Sequence, residues 1–419
     1  MGEHIMVFDI RDYGAIPNNV DVLTTDKIQQ AIHDCTTHGG GRVLITGGIY
    51  KIGTIILHNN VELHIAADAV LLGSENCADF PEREDVHHVD TPLLPRKRNA
   101  CMIFAEECQN IAITGAGKID CNGTNFVQPI IPHPKRGWPF QRIDAPTPPR
   151  VVFFAGCKNV SVRDVTMVNQ PSGWSYWIHD CDYVTFDRVK IEAEVRYPNN
   201  DGIHINSSRN VTISNCMITC GDDCLVVRAN NVSLSENKIC EKVTVTNCNL
   251  TSYSGGIRIG WINDGIIRNC TFSNLVMTDT SVGISILLPG RGEERIPDEG
   301  REDTFIENLS FSNIIMDDMY SAPIFIEIAN NPHTRCHAIQ NLYFQDIHAR
   351  GKSLPYISGR QGCNLKNIYF SNCTFEREAS AETALEQNHG APAFWDVASH
   401  PCLQYAENVV MNNTTFTIK

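Results

Sequence analysis

Two stretches, Arg209-Asn-Val-Thr-Ile-Ser-Asn-Cys-Met-Ile (209–218) and Glu241-Lys-Val-Thr-Val-Thr-Asn-Cys-Asn-Leu (241–250), nearly superimpose when written one beneath the other. The same outline recurs at 158–167 (KNVSVRDVTM), 182–191 (DYVTFDRVKI), 307–316 (ENLSFSNIIM), 340–349 (QNLYFQDIHA) and 365–375 (LKNIYFSNCTF). Each is a β-branched or aromatic alternation, then Asn or Asp, then a second short apolar strand. Period two argues for strands over helices. Unequal intervals suit coils of a solenoid joined by loops of different length. Asn is a turn former, and stacked amides can hydrogen-bond along a ladder. A sandwich or propeller also has many short strands, but these repeats seldom carry the Asn-Gly or Asp-Gly hairpin turns of antiparallel sheets. The sequence therefore predicts an all-β chain, a single-stranded right-handed parallel β-helix.

Outward from the repeats, Thr25 to His38 (TDKIQQAIHDCTTH) reads as a short amphipathic helix with a Thr or Asp cap. Ile28, Ala31, Ile32 and Cys35 share one face, and Gly39-Gly40-Gly41 and a strand follow, so the helix is expected to cap the solenoid's open end. Pro81 to Arg150 contains a Pro- and charge-rich excursion, expected to wall a site or make a subunit contact. Pro289 to Asp303 reads as a second rim loop. Composition shows no break, so one domain spans 1–419: cap and first coils over 1–80, a long rim insertion over 81–150, and main coils with a C-terminal cap over 151–419.

The 419 residues suffice for a large core, and 42% hydrophobic with 20% charged residues excludes disorder. No apolar run approaches the ~20 residues of a membrane span, so no membrane partner is expected. The opening MGEHIMVFDIRDYG lacks the pattern of a secretory leader, making a cytoplasmic protein the expectation. The net charge of −14, from 48 acidic and 34 basic residues, argues against nucleic acid as a partner. It also disfavours a long polyanion unless a local basic cleft overrides the average. The 17 cysteines lack the CxxC pairs of a zinc site. Several recur in Asn-Cys pairs (215–216, 247–248, 269–270, 372–373), read as buried reduced thiols stacked at one structural position.

Chemistry concentrates in 198–228, PNNDGIHINSSRNVTISNCMITCGDDCLVVR. Aligning Asp201-Gly-Ile-His-Ile with Asp223-Cys-Leu-Val-Val stacks Ile203 on Leu225 and Ile205 on Val227. Asp201 and Asp223 then lie on adjacent coils, about 4.8 Å apart, with Asp222 beside both. Like charges this close raise at least one carboxyl pKa, so one group can serve as acid while another stays a base. That is what glycosidic cleavage requires. Ordinary Asx turns would explain a lone Asp-Gly; the stacked trio outweighs that reading.

Asn-Asn-Asp-Gly at 199–202 followed by Gly-Asp-Asp at 221–223 resembles the NTD and GDD motifs of glycoside hydrolase family 28, the polygalacturonase family. The segment FDIRDYGA…TDKIQQAI…GGGRVLITGGIY is similar to that family's opening, and the resemblance extends over most coils. It implies a right-handed β-helix of the pectate-lyase type, inverting hydrolysis and no metal or other cofactor. It implies Asp222 as general acid, with Asp201 and Asp223 holding and activating water. The family's Gly-His-Gly motif falls near Ser254-Gly255-Gly256, without its histidine. Its Arg-Ile-Lys motif falls at Ser285-Ile286-Leu287, without either cation. The Ser-Gly-Gly version is similar to rhamnogalacturonan-type relatives.

Continuing the register gives one outward column of His204, Val226, Arg258, Ser285 and Phe325, and another of Asn206, Arg228, Gly260, Leu287 and Glu327. Arg258 is the first candidate for substrate contact, because its fork can bind a uronate or sugar hydroxyls; balancing the aspartates is the competing reading. Arg228 could play either part. His204 could orient a sugar or simply stack. Trp261, Trp174 and Trp177 are candidate sugar platforms, though Trp more often packs; Glu327 could supply another carboxylate, but is expected instead to be exposed and salt-bridged. The expected function is hydrolysis of pectin-like oligosaccharides, exo-acting in a closed pocket. The rivals are a polysaccharide lyase, whose acidic cluster would hold calcium, and a non-catalytic carbohydrate-binding solenoid.

Overall fold

Asn and Asp bend the chain at each coil. In the computed structural model, which describes residues 5–82, 100–127, 150–171, 173–197, 199–262, 264–289, 303–331, 334–379 and 401–419, Asn210, Asn215, Asn247 and Asn341 all have φ between 54° and 57°. This left-handed region is one that Asn tolerates better than most residues. On either side the chain is extended and alternates as expected: in Arg209–Ser214, Val211 and Ile213 are buried while Thr212 is exposed. Val211 stacks between Val184 and Val243, and Ile213 between Phe186 and Val245, in parallel register.

Among the described residues the strands form two sheets, of 21 and 11 strands. The smaller sheet takes one strand per coil, from Ile55–Ile56 to Cys402–Gln404. In the larger sheet, later coils fuse two strands into long bent ones such as Cys240–Ser252 and Thr304–Met319. The result is an all-β, right-handed parallel β-helix. Phe272, Phe311, Phe344 and Phe370 form a column inside it, with centroids 5.1, 5.1 and 4.9 Å apart. The helix Thr25–Thr37 buries Ile28, Ala31, Ile32 and Cys35 over the first coils. Thr24 makes no side-chain cap bond; the Thr25 hydroxyl accepts from the Gly53 N–H at 2.8 Å instead.

Two expectations need correction. The segment 81–150 is not one insertion. Strands Cys101–Glu106, Gln109–Thr114 and Lys118–Asp120 make a regular coil within it, paired with the coils before and after. The Pro- and charge-rich stretches on either side, and the 289–303 loop beyond its first and last residues, lie outside the described residues. The Asn-Cys pairs occupy two turns rather than one: Asn269 bonds to Asn308 in the ladder that runs on through Asn341, whereas Asn247 bonds to Asn215 at the other turn. The thiols at both turns are buried and free.

Candidate active site

The aspartates stand where strands of the smaller sheet begin. Ile203 pairs with Leu225, and Leu225 with Ile257, and the Gly202 N–H donates to the Asp223 carbonyl at 3.0 Å. Asp201 and Asp223 are therefore vertical neighbours, as the sequence register requires. The Gly-Asp-Asp turn is braced by the Asn-Asn-Asp segment beneath it: Asn200 Oδ1 accepts from the N–H groups of Gly221 (2.7 Å) and Asp222 (3.2 Å). A Cβ on Gly221 would lie 2.0 Å from the Tyr197 carbonyl oxygen, so the turn needs glycine for close approach.

The three carboxylates are 3%, 6% and 1% exposed for Asp201, Asp222 and Asp223, and each offers an oxygen within 4.8 Å of the others. Asp222 Oδ2 accepts from the backbone and side-chain N–H groups of Asn199, at 3.0 and 3.2 Å. Asp223 Oδ1 accepts from the Ser254 hydroxyl at 3.1 Å, and Asp223 Oδ2 lies 2.9 Å from Arg258 Nη1. Burial, then repulsion from Asp222 and Asp223, pushes Asp201 well above the ordinary carboxylate range. Burial likewise pushes Asp223 up to about 7, with Arg258 and Ser254 opposing and Asp222 adding to the rise.

Arg258 is thus the cation of the cluster, and it lies 4.5 Å over the Trp261 ring. Its Nε is buried with no hydrogen-bond partner among the described residues. His204 stacks on Trp174 with centroids 3.9 Å apart, and its Nδ1 stands 3.7 Å from Asp201 Oδ2. Burial, reinforced by Arg228, Arg258 and Arg150, holds its pKa far below normal, so the ring is neutral.

Arg228 pairs with a carboxylate outside the cluster. It grips the fully buried Asp264 at 2.5 and 2.7 Å and so fixes the turn after Gly255–Ile259. Glu327 is half-buried rather than exposed, has no ion-pair partner among the described residues, and burial pushes its carboxyl up to about 7. Three positions were given no part by the sequence reading. Ser254 binds Asp223. Gly255 opposes it so closely that an added Cβ would lie 2.6 Å from Asp223 Oδ1. Arg150 packs over Trp174 and Trp177, its guanidinium carbon 4.8 and 4.3 Å from their centroids. Register put the first two on the coil after Asp223 but not against its carboxyl; Arg150 borders a Pro-rich stretch that gave it no phase.

A sheet wall bearing crowded, buried carboxylates suits hydrolysis of a glycosidic bond, and the comparisons agree. The sequence signature of glycosyl hydrolases family 28 matches residues 94–391, and the chain belongs to that family. A probable polygalacturonase of Vitis vinifera is 25% identical over 288 residues, covering 66% of this chain and 55% of that protein. An exopolygalacturonase of Platanus acerifolia is 23% identical over 383 residues, 86% of this chain and 88% of that one. The chain spans about half the length of the first curated relatives it matches. The exopolygalacturonase structure from Thermotoga maritima superposes with a TM-score of 0.71 at 19% identity, covering 97% of this chain and 92% of that one. It shares the fold.

Proposed function

We propose that the chain is an inverting glycoside hydrolase of pectin-like oligosaccharides, in which Asp222 is the general acid and Asp201 with Asp223 activates water. The observation that carries this reading is three buried carboxylates in mutual reach beside one cation, Arg258. Asp201 and Asp223 each feel a neighbouring carboxylate's charge, so their protons are shared rather than separate. The raised affinities of Asp201 and Asp223 for protons suit the accepting end, because a general base works best with a pKa near the operating pH.

Asp222 donates its proton to the glycosidic oxygen as the C–O bond breaks. Water attacks the anomeric carbon and gives its proton to the Asp201/Asp223 pair. Transfer within the cluster, over distances below 4.8 Å, returns a proton to Asp222. The polygalacturonase names of the relatives support a pectic substrate, and the exopolygalacturonase names among them support exo action.

Proton NMR followed in real time, with galacturonan, rhamnogalacturonan and neutral pectic oligosaccharides, tests the proposal. An initially inverted anomeric signal is expected. A retained anomer would make one aspartate a nucleophile, an alkene signal would mean a lyase, and turnover undiminished in Asp222→Asn would remove the acid assignment.

A further inference from the structure

The three carboxylates are not held alike. Asn199 donates twice to Asp222, and Asp223 accepts from Ser254 and pairs with Arg258. Asp201 has its backbone fixed, its carbonyl accepting from the Ser175 N–H at 2.9 Å. Its Oδ1, however, is buried with no hydrogen-bond partner among the described residues. Its Oδ2 stands 3.7 Å from His204 Nδ1, which is likewise buried and unpartnered among the described residues. Folded interiors satisfy nearly all such atoms, so two orphans on neighbouring side chains call for a use.

The fold keeps His204 facing Asp201. Strand pairing sets it between Trp177 and Val226, and its ring lies on Trp174 with centroids 3.9 Å apart. Val226 brings no polar side-chain atom to that column. Around Asp201 stand Asp222, Asp223, Arg258, Arg150 and the Cys220 thiol; around His204 stand Arg228, Arg258, Arg150 and His179. Burial, with three guanidinium groups nearby, keeps the ring neutral, so one nitrogen carries hydrogen and the other a lone pair. A carboxylate oxygen facing Nδ1 favours hydrogen there. At 3.7 Å the contact is too long for a hydrogen bond, but catalytic contacts are often long in an empty site and tighten on substrate.

We propose that His204 is the positioning residue for Asp201: with substrate bound, its Nδ1–H donates to Asp201 Oδ2 and turns the free Oδ1 toward the attacking water. The water's proton passes to Oδ1 while Oδ2 still accepts from the ring, so His204 neither gains nor loses a proton. The part in water activation rests on the hydrolase reading above; the pairing of His204 with Asp201 does not.

Two variants and one spectrum test this. His204→Phe keeps a ring on Trp174 and removes the nitrogen; His204→Asn puts an amide N–H near the Nδ1 position. Thermal melts verify folding. His204→Phe is expected to lower kcat by about 10- to 100-fold, the range for a lost hydrogen bond to a charged group, with KM changed less than about twofold. Losing a donor to the ionised form raises the Asp201 pKa, so the acid limb of the rate profile should move to higher pH. His204→Asn should recover part of both changes. In the free wild-type protein, nitrogen NMR of labelled histidine should show a neutral His204 ring with its hydrogen on Nδ1.

A folded His204→Phe with the wild-type kcat and acid limb would overturn the proposal. A loss confined to KM would make His204 a sugar contact instead, and equal losses in both variants with an unmoved acid limb would leave it only a shape to fill. Hydrogen on Nε2 in the wild-type spectrum would overturn the pairing whatever the turnover. Hydrogen on Nδ1 in a protein that cleaves no pectic oligosaccharide would uphold the pairing and remove the hydrolase reading.

Discussion

Gly255 shows how narrow the tolerance is at single residues. In Gly255→Ala the new methyl would meet Asp223 Oδ1 at 2.6 Å, forcing the carboxyl away from Ser254 and Arg258. Since small misplacements at a reacting centre cost about 100-fold, kcat/KM should fall by at least that order. Steady-state kinetics beside a thermal melt would separate this from unfolding. The protonation of the cluster sets the pH response. Asp223 takes up its proton at about 7 when folded, against 3.8 ordinarily, and Asp201 is raised too. Between these limits the folded state binds more protons than the unfolded one, so the contribution of these groups to stability falls as pH rises from about 4 towards 7. Activity should decline on the acid side near 7, where Asp223 gains the proton it must lack to accept one from water. Arg258 lowers the Asp223 pKa, so Arg258→Met should move that limb to higher pH while reducing the rate, measurable from kcat/KM profiles. The aspartates were legible in the sequence because their register follows from the Ile and Val alternation. The burial that sets their pKa values was not, since it depends on what covers the outer wall.

Among structural elements, the asparagine ladder carries the coil's shape. Asn341 donates to Asn308 at 2.9 Å, accepts from Asn367 at 2.8 Å, and has φ of 57°. Asn341→Ala loses both bonds and puts an ordinary residue in the left-handed region, an expected cost of about 2–3 kcal/mol. Asn341→Gly loses the bonds and keeps the conformation, so about 1–2 kcal/mol is expected. Urea unfolding of the pair would resolve the two contributions. The ladder itself could be read from the repeated Asn. What could not be read is that each coil has two such turns with nearly the same local sequence, which is why Cys270 was placed in the same stack as Cys216 and Cys248.

Over the whole molecule, none of the 17 cysteines is bridged, and burial pushes Cys35 up to about 11 and Cys270 to about 12. Cys363 and Cys248 run the other way: hydrogen bonds with Cys336 and Cys216 draw them down, Cys363 to about 7. A thiol reagent should therefore label Cys363 first, then the partly exposed Cys336 and Cys402, and all 17 after denaturation, with no change in Tm on adding reductant. Mass spectrometry of the labelled protein would verify the sites. The coil at 101–127 stayed hidden in the sequence because the Pro-rich runs on either side dominate the local composition and break the phase between it and the next repeat.

Since every coil lies parallel on the last, with strands about 4.8 Å apart, the wall has a direction and a graduation, as a sugar chain does. One coil advances the floor by roughly the length of a pyranose ring. On the function proposed above, the solenoid works as a ruler: gaining or losing one coil changes the wall offered to a sugar chain by about one unit.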